Sequence, residues 1–457
     1  MILFVGNGPC AVPRNLCARR LSHQEANMTV ENKIRPSIKV LILVIFILAL
    51  VLRGMAFLKF KDNMALSGDA KNYWLMSHQL ADTGIYGYWY DGNPYGGTPG
   101  VSNARVMPGY PVFLAAIYKN IGDPYLQITA IRLLQAILGS LSALLAFAVV
   151  RRIFKKDLPA VLTALFVAVY PPYILSSTVI LTEVPGLFTM LLYFYIAAIA
   201  FETGKKSLNV LAGAAFGLHI LIRPALLPLF IVPFAYLLIS GVKRKEHYAL
   251  KGTFRGKADR GPLTARKVGL YFLLQLMGFV VVMAPWWIRN LITLGAFILT
   301  AKGDGNALLA GTYPYWQDFM KDNPENIKGV NDAQRAWGIQ RIIAGLKTDP
   351  GLYIKWFTLG KTDFTFAKPY LAYLLPEMTV QMLIHKVIIF SGVLGMIWHS
   401  IRSIKGFYFY LYGLILLGLQ LLFVPDPRYA YILMFFVMVG SAHLVSNLWE
   451  LIRRRMP

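Results

Sequence analysis

Ten apolar runs, separated by polar loops, constrain this chain more than any other feature in it. They fall near residues 38–58, 126–150, 158–176, 183–201, 208–222, 224–240, 268–288, 381–401, 407–424 and 429–449. Runs approaching ~20 apolar residues are what a helix needs to cross a bilayer. The mean hydropathy of +0.53 and a charged fraction of only 15% over 457 residues agree. The expected fold class is therefore an all-α integral membrane protein with about ten transmembrane helices. Two long polar connections, roughly 59–125 and 289–380, form large extracytoplasmic loops carrying amphipathic surface helices. Residues 208–222 and 224–240 are short and joined by "IRPA", which reads as a tight hairpin.

The formal charge of +24 would suit a nucleic-acid-binding protein if the cations were clustered without regard to the spans. They follow the spans instead. The tails and the loops carrying "IRPSIK", "RRIFKK", "TGKK", "KRKEH…TARK", "RSIK" and "RRR" hold 26 basic and 7 acidic residues, and the rest of the chain holds 20 and 15. An excess of Lys and Arg marks the cytoplasmic side. Both termini and the basic loop 241–267 are thus expected inside and the two large loops outside, in a multi-pass cytoplasmic-membrane protein that binds no nucleic acid. The loop 241–267 is basic enough to touch anionic headgroups.

Residues 1–37 read as a cytoplasmic N-terminal segment whose first 27 residues are disordered or follow from an upstream start. Residues 38–449 form the polytopic domain and 450–457 a basic tail. Cys10 and Cys17 are the only cysteines, so no disulfide framework is expected in the outer loops. "KGTFRGKADRGP" reads as a Gly- and charge-rich linker.

The first outer loop opens with "SGDAKNYWLMSHQLADTGIYGYW" (67–89). Ala70, Tyr73, Trp74, Ser77, Leu80 and Ala81 share one face of a helix, predicting a short amphipathic helix on the outer membrane surface. Asp69 opens it, where a carboxylate serves as an N-cap and can also serve as a base. "TGIYGYWYDGNPYGGTPG" is suited to covering a polar substrate, and Tyr73, Tyr86 and Tyr110 are the candidate covering rings. "ARVMPGYPVFLAAIYKNIG" predicts a second surface or half-buried helix starting near Pro108 and Pro111, with Arg105 just before it.

More ionisable residues gather at the outer ends of the spans: Arg53, Arg132, Glu183, His219, Arg223, Arg289 and Arg428. A single arginine at a span end is ordinarily a snorkelling anchor. Several together with two carboxylates point to a site for an anionic substrate, with guanidiniums for phosphate and carboxylates for acid–base work. No Walker A, HExxH or GxSxG sequence is present, and "GDGNALLAG" (303–311) reads as a turn. No cofactor is indicated with certainty; a divalent metal on outer carboxylates is left open. The inner halves of the spans are nearly free of charge, which weighs against a flippase or transporter of lipid-linked sugar.

The blocks "SGDAKNYWLMSHQLADTGIYG", "RVMPGYPVFLAAIY", "VYPPYILSSTVILTE", "GLHILIRPALL", "APWWIRNLITLGAFIL" with "GNALLAGTYP", and "PRYAYILMFF" occur in order. Together they resemble the polytopic GT-C glycosyltransferases, in the branch that includes the aminoarabinose-lipid A transferases and the protein O-mannosyltransferases. The resemblance covers about 66–315 and 425–436. It implies transfer of a sugar from a polyprenyl-phosphate donor to a lipid, glycan or protein acceptor at the outer face. By position it implies Asp69 as catalytic base, Glu183 as a second catalytic carboxylate, and Arg105, Arg223, Arg289 and Arg428 as donor-phosphate ligands. Ala70 stands where the family often has a second acidic residue, and Met107 where it often has the first proline of "PPGYP". An outer-face ligase using a pyrophosphate-linked donor is the neighbouring alternative.

Overall fold

The computed structural model describes residues 34–89, 97–246, 263–317, 327–374 and 378–454, with side chains omitted at 241–246, 372 and 378. The cysteines, the linker 251–262 and the tip of the aromatic loop, 90–96, lie outside the described residues. Contacts divide the chain into residues 1–44 and 45–457, and, apart from the start of the first helix, the features below belong to the second unit.

The described residues are helical, with no β-strand among them. The long helices are α1 (Pro36–Phe60), α2 (Gly68–Thr83), α3 (Gly109–Asn120), α4 (Pro124–Phe154), α5 (Asp157–Val169), α6 (Glu183–Thr203), α7 (Lys206–Ile220), α8 (Val232–Glu246), α9 (Ala265–Leu294), α10 (Asn331–Thr348), α11 (Met378–Arg402), α12 (Ile404–Gln420) and α13 (Ala430–Arg453).

The chain is a multi-pass membrane protein. Six stretches are long and apolar enough to cross a bilayer: 36–60, 124–154, 183–203, 265–294, 379–402 and 427–453. A seventh consists of α5 and the segment Pro171–Thr178, bent by 58° at Tyr170. Of the ten expected spans, six or seven meet that length and composition among the described residues. The runs at 208–222, 224–240 and 407–424 are helical, but Lys206–Ile220 and Ile404–Gln420 have 15 and 17 residues. At ~1.5 Å per residue these reach roughly 22–26 Å, short of a ~30 Å hydrocarbon core. Pro224 and Pro228 hold 224–231 in a tight 3-10 turn before α8.

Close helix crossings rest on small residues. At the α7–α9 crossing a Cβ on Gly213 would lie 1.8 Å from the Gln275 carbonyl oxygen, and one on Gly278 would lie 1.9 Å from that of Val210. Only glycine permits backbones this near, the same device that packs helices within lipid.

Two arginines expected near the site serve the frame instead. Arg53, buried in α1, donates to the carbonyls of Ala49, Val167 and Ala168 (3.1–3.2 Å), the latter two at the end of α5 where the chain bends. A helix end buried without such donors would leave carbonyls unsatisfied. Arg132 of α4 donates to the carbonyls of Thr178, Phe60 and Asn63 at 2.7–3.0 Å, tying the end of α1 to the segment before α6.

Both long connections contain helices, as expected. The apolar face of α2 turns onto protein: Ala70, Tyr73, Trp74 and Ala81 pack against a buried cluster of Tyr110, Leu114 and Tyr118 from α3 and Ile128 and Ile131 from α4. "GDGNALLAG" is a correction, since Asp304–Gly311 is a short helix packed on α10 and not a turn.

Candidate active site

Each charged side chain of the site is placed by local chain chemistry. Glu183 is the first residue of α6, where a carboxylate complements the positive end of the helix dipole. Arg223 follows the end of α7 and precedes Pro224. A residue before proline is driven out of the α region, and Arg223 is extended at φ −139°, ψ 105°. The amide of Gly109 donates to the Leu221 carbonyl (2.7 Å), fastening the start of α3 to this turn.

Arg428 lies in the 3-10 turn Pro427–Tyr429 that leads into α13, where Asp426 Oδ1 accepts from its amide (2.7 Å) and Pro427 fixes the turn. The preceding loop is clamped from the second outer connection. Val424 N–H donates to the Ala307 carbonyl (2.9 Å), and the buried Lys361 Nζ donates to that of Leu421 (2.7 Å). Burial pushes the Lys361 ammonium down to about 7. Its partners are the α12 carbonyl end and the face of Phe357, 3.6 Å away.

Asp69 is not the N-cap of α2. Ser67 holds that place, and Asp69 lies in the first helical turn with its carboxylate turned toward the rest of the site. Its Oδ2 receives Arg428 Nη1 at 2.6 Å, and its Oδ1 receives the Tyr88 hydroxyl at 3.1 Å. Arg428 also donates through Nε to Glu183 Oε1, and the same Glu183 oxygen receives Arg223 Nη1 at 3.0 Å. The result is a continuous chain of alternating charge, Arg223–Glu183–Arg428–Asp69, ended by a tyrosine. The two carboxylates differ sharply in access: the Glu183 side chain is 1% exposed and that of Asp69 is 41%.

The backbone makes room for this. A Cβ on Gly186, one turn after Glu183 on the same face, would fall 2.7 Å from Arg223 Cδ. Below it His219 Nδ1 lies 3.0 Å from Thr189 Oγ1 and 3.1 Å from the Gly186 carbonyl, locking α7 to α6.

The remaining predicted residues stand apart from this chain of charges. Arg289 donates to the carbonyls of Tyr86 (2.7 Å) and Asn103 (2.9 Å) and lies 5.1 Å over the Tyr86 ring, so it fastens the first outer loop to α9. Arg105 Nη2 donates to the Gly329 carbonyl at 3.2 Å, linking the two outer connections. Tyr86 and Tyr110 are buried, their hydroxyls donating to the Val106 carbonyl (2.9 Å) and to Gln135 (3.0 Å). Tyr73 is closer to the charges, with its ring edge-on to Tyr88 at 5.9 Å and to Tyr110 at 5.4 Å. Burial, opposed by Arg428 and aided by Asp69, pushes its hydroxyl well above the ordinary tyrosine range.

Three contributors were not singled out from the sequence. Tyr88 touches Asp69 directly and is itself held by Asn72, whose Nδ2 donates to its hydroxyl (3.1 Å). Asn103 grips the Tyr88 backbone on both sides, accepting from its amide (3.1 Å) and donating to its carbonyl (2.9 Å). Tyr370 comes from the second long connection, and burial together with the charge of Glu183 pushes its hydroxyl above the ordinary tyrosine range. The run "IYGYW" carried a signal for Tyr88, whereas nothing local marked Asn103 or Tyr370.

Among the described residues no group of three His, Cys, Asp or Glu side chains is placed to hold a metal ion. What the arrangement offers is an accessible carboxylate beside a guanidinium, backed by a sealed second carboxylate and a second guanidinium.

Comparison with known proteins bears on this arrangement. No curated protein sequence matches the chain significantly. Among solved structures, the archaeal oligosaccharyltransferase AglB from Archaeoglobus fulgidus, in complex with an inhibitory peptide and a dolichol-phosphate, is similar with a TM-score of 0.52 at 15% identity, covering 90% of this chain and 51% of that one. The Archaeoglobus fulgidus oligosaccharyltransferase in complex with Zn and sulfate gives a TM-score of 0.56 at 14% identity, covering 91% and 50%. This chain thus spans about half the length of those structures, and at such identity the likeness is one of fold. Residues 107–254, which include Glu183 and Arg223, match the family model described as dolichyl-phosphate-mannose-protein mannosyltransferase. Residues 107–254 thus carry the pattern of that family, and most of the chain shares the helical fold of those structures.

Proposed function

We propose that this protein transfers a sugar from a polyprenyl-phosphate donor to an acceptor hydroxyl at the outer face of the cytoplasmic membrane, with residues 38–449 acting as one domain. The observation that carries the reading is that Asp69, water-accessible, and Glu183, sealed from water, share Arg428. An alcohol is too weak a nucleophile at neutral pH without a positioned base, and Asp69 is the carboxylate that an acceptor can reach. In the reaction the acceptor oxygen bonds to the sugar's anomeric carbon and its proton passes to Asp69. The bond from that carbon to the phosphate oxygen breaks, and the electron pair leaves with polyprenyl phosphate. Arg428 and Arg223 lie where they can stabilise the charge gained by the departing phosphate, an interaction stronger in the transition state than before it.

Glu183 then acts by positioning. Fully buried and bound by both guanidiniums, it aims them and does not itself exchange protons with substrate. Arg105 and Arg289 hold the outer loops in place, and a donor phosphate reaching them would have to compete with the carbonyls they now bind. The outward orientation, with both termini and the basic loops inside, rests on the distribution of Lys and Arg. The ten-span topology fits if the short helices α7, α8 and α12 meet a locally thinned bilayer.

The test uses purified protein in lipid with radiolabelled polyprenyl-phosphate sugars and a panel of lipid, glycan and protein acceptors. Asp69→Asn should lower turnover about 10²–10⁴-fold, the usual contribution of a general base, with donor binding retained. Unchanged turnover would remove Asp69 as the base. Transfer from a pyrophosphate-linked oligosaccharide alone would favour the ligase reading, and movement of donor between leaflets without transfer would favour a flippase.

A further inference from the structure

At the end of α6 away from the carboxylate site lies a cavity of about 160 Å³, bounded by α4, α6, the start of α8 and α12. Glu202, at its mouth, is nineteen residues along α6 from Glu183, roughly 28 Å at the helical rise, so this cavity is separate from the carboxylate site. Its walls are apolar and aromatic, including Phe194, Phe201, Leu237 and Phe409. Its rim is cationic. Arg152, Lys155 and Lys405 line it together with one carboxylate, Glu202, a balance of two positive charges. Arg152 and Lys155 both ion-pair with Glu202 while remaining about one-third exposed (32% and 38%), so the rim stays open to a further anion.

An apolar well beneath a positively charged rim fits an amphiphile with an anionic head. The lining runs from Glu202 to Tyr193 on α6, nine residues or about 14 Å. That is close to half of a ~30 Å hydrocarbon core, the depth of one leaflet. A free phosphate would leave the aromatic walls unused, and a polyprenyl chain would overrun the depth. We propose that the cavity binds one anionic glycerophospholipid, its phosphate at Arg152, Lys155 and Lys405 and one acyl chain between α6, α8 and α12. The site is independent of the sugar-transfer reading.

Native mass spectrometry of the detergent-purified protein tests it, after incubation with phosphatidylglycerol or phosphatidylcholine micelles. One phosphatidylglycerol should be retained per chain, at least tenfold more strongly than phosphatidylcholine. The double variant Lys155→Glu/Lys405→Glu should lose at least tenfold in that retention. Ala198→Phe, which fills the wall without changing charge, should lose it as well, and millimolar inorganic phosphate should not displace the lipid. Gel filtration and circular dichroism confirm folding, and Lys155→Gln/Lys405→Gln replaces the charge reversal if that variant does not fold. Equal retention of the two lipids, full retention by the charge variants, displacement by inorganic phosphate, or preference for polyprenyl phosphate would each overturn the proposal.

Discussion

Two groups of buried or half-buried arginines do opposite work in this protein. Arg53, Arg132 and Arg289 are bound to backbone carbonyls and hold broken helices and loops together. Arg223 and Arg428 are bound to carboxylates and gather at one place. In a sequence the five look alike, each a cation in or beside an apolar run. The difference lies in what the fold brings to them. A carbonyl partner leaves the arginine's charge uncompensated while engaging its terminal nitrogens with backbone, so it serves structure. A carboxylate partner neutralises the charge and leaves donors able to turn toward a third group.

The sharpest break of that contrast is Arg428→Met. It removes one of the two guanidiniums on the buried Glu183, and breaking a buried ion pair typically costs about 3–5 kcal/mol. Thermal unfolding in detergent should fall accordingly, and transfer activity should vanish even where folded protein remains. Arg53→Met should behave differently. Carbonyls at the end of α5 lose their donor, at about 1–3 kcal/mol for a buried group left unsatisfied. Melting should drop while turnover per folded molecule stays near wild type; a matching loss of turnover would erase the distinction between the two groups.

Gly186→Ala probes the packing that seats Arg223. The added methyl meets Arg223 Cδ at 2.7 Å, and overpacking of this kind costs about 1–3 kcal/mol. A flexible side chain can yield, so the effect should sit near the lower bound and appear mainly as a raised KM for the donor.

The smallest effect belongs to an ion pair outside both groups. Burial would raise the Asp304 carboxyl, but the hydrogen bonds and charge of Arg335 outweigh it and hold it below its ordinary range. The folded pKa is depressed, so the contribution is present above the unfolded value near ~4 and is lost as pH falls through the folded one. Both side chains are more than a third exposed, so solvent limits the pair to under ~1 kcal/mol. Asp304→Asn should lower the melting temperature slightly at pH 7, and progressively less as pH falls below ~4.

Much of the fold was legible because apolar run length and the positions of Lys and Arg are written locally. The α6, α9 and α13 helices fall close to the runs that predict them. The short helices α7 and α12 match runs of the same kind, because a hydropathy pattern records apolar content more faithfully than helix length. The candidate site was legible as a set of residues but not as a set of contacts. Arg289 and Arg428 each follow an apolar or proline-rich stretch at a span end, and only the tertiary path gives one of them carbonyls and the other carboxylates. Tyr370 illustrates the same limit, since its neighbours Glu183 and Arg428 come from distant parts of the chain. Asp69 was found by its place at a helix start, yet its role there differs from capping because Ser67 already occupies the cap.

The contact between Asp69 and Arg428 spans 359 residues of sequence. During synthesis the first carboxylate therefore emerges long before the cation that completes its surroundings. Until those 359 residues have been made and inserted, α2 carries a carboxylate beside the membrane without its guanidinium partner. A product of interrupted translation that ends before residue 428 would thus keep the accessible Asp69 carboxylate without the guanidinium that pairs with it.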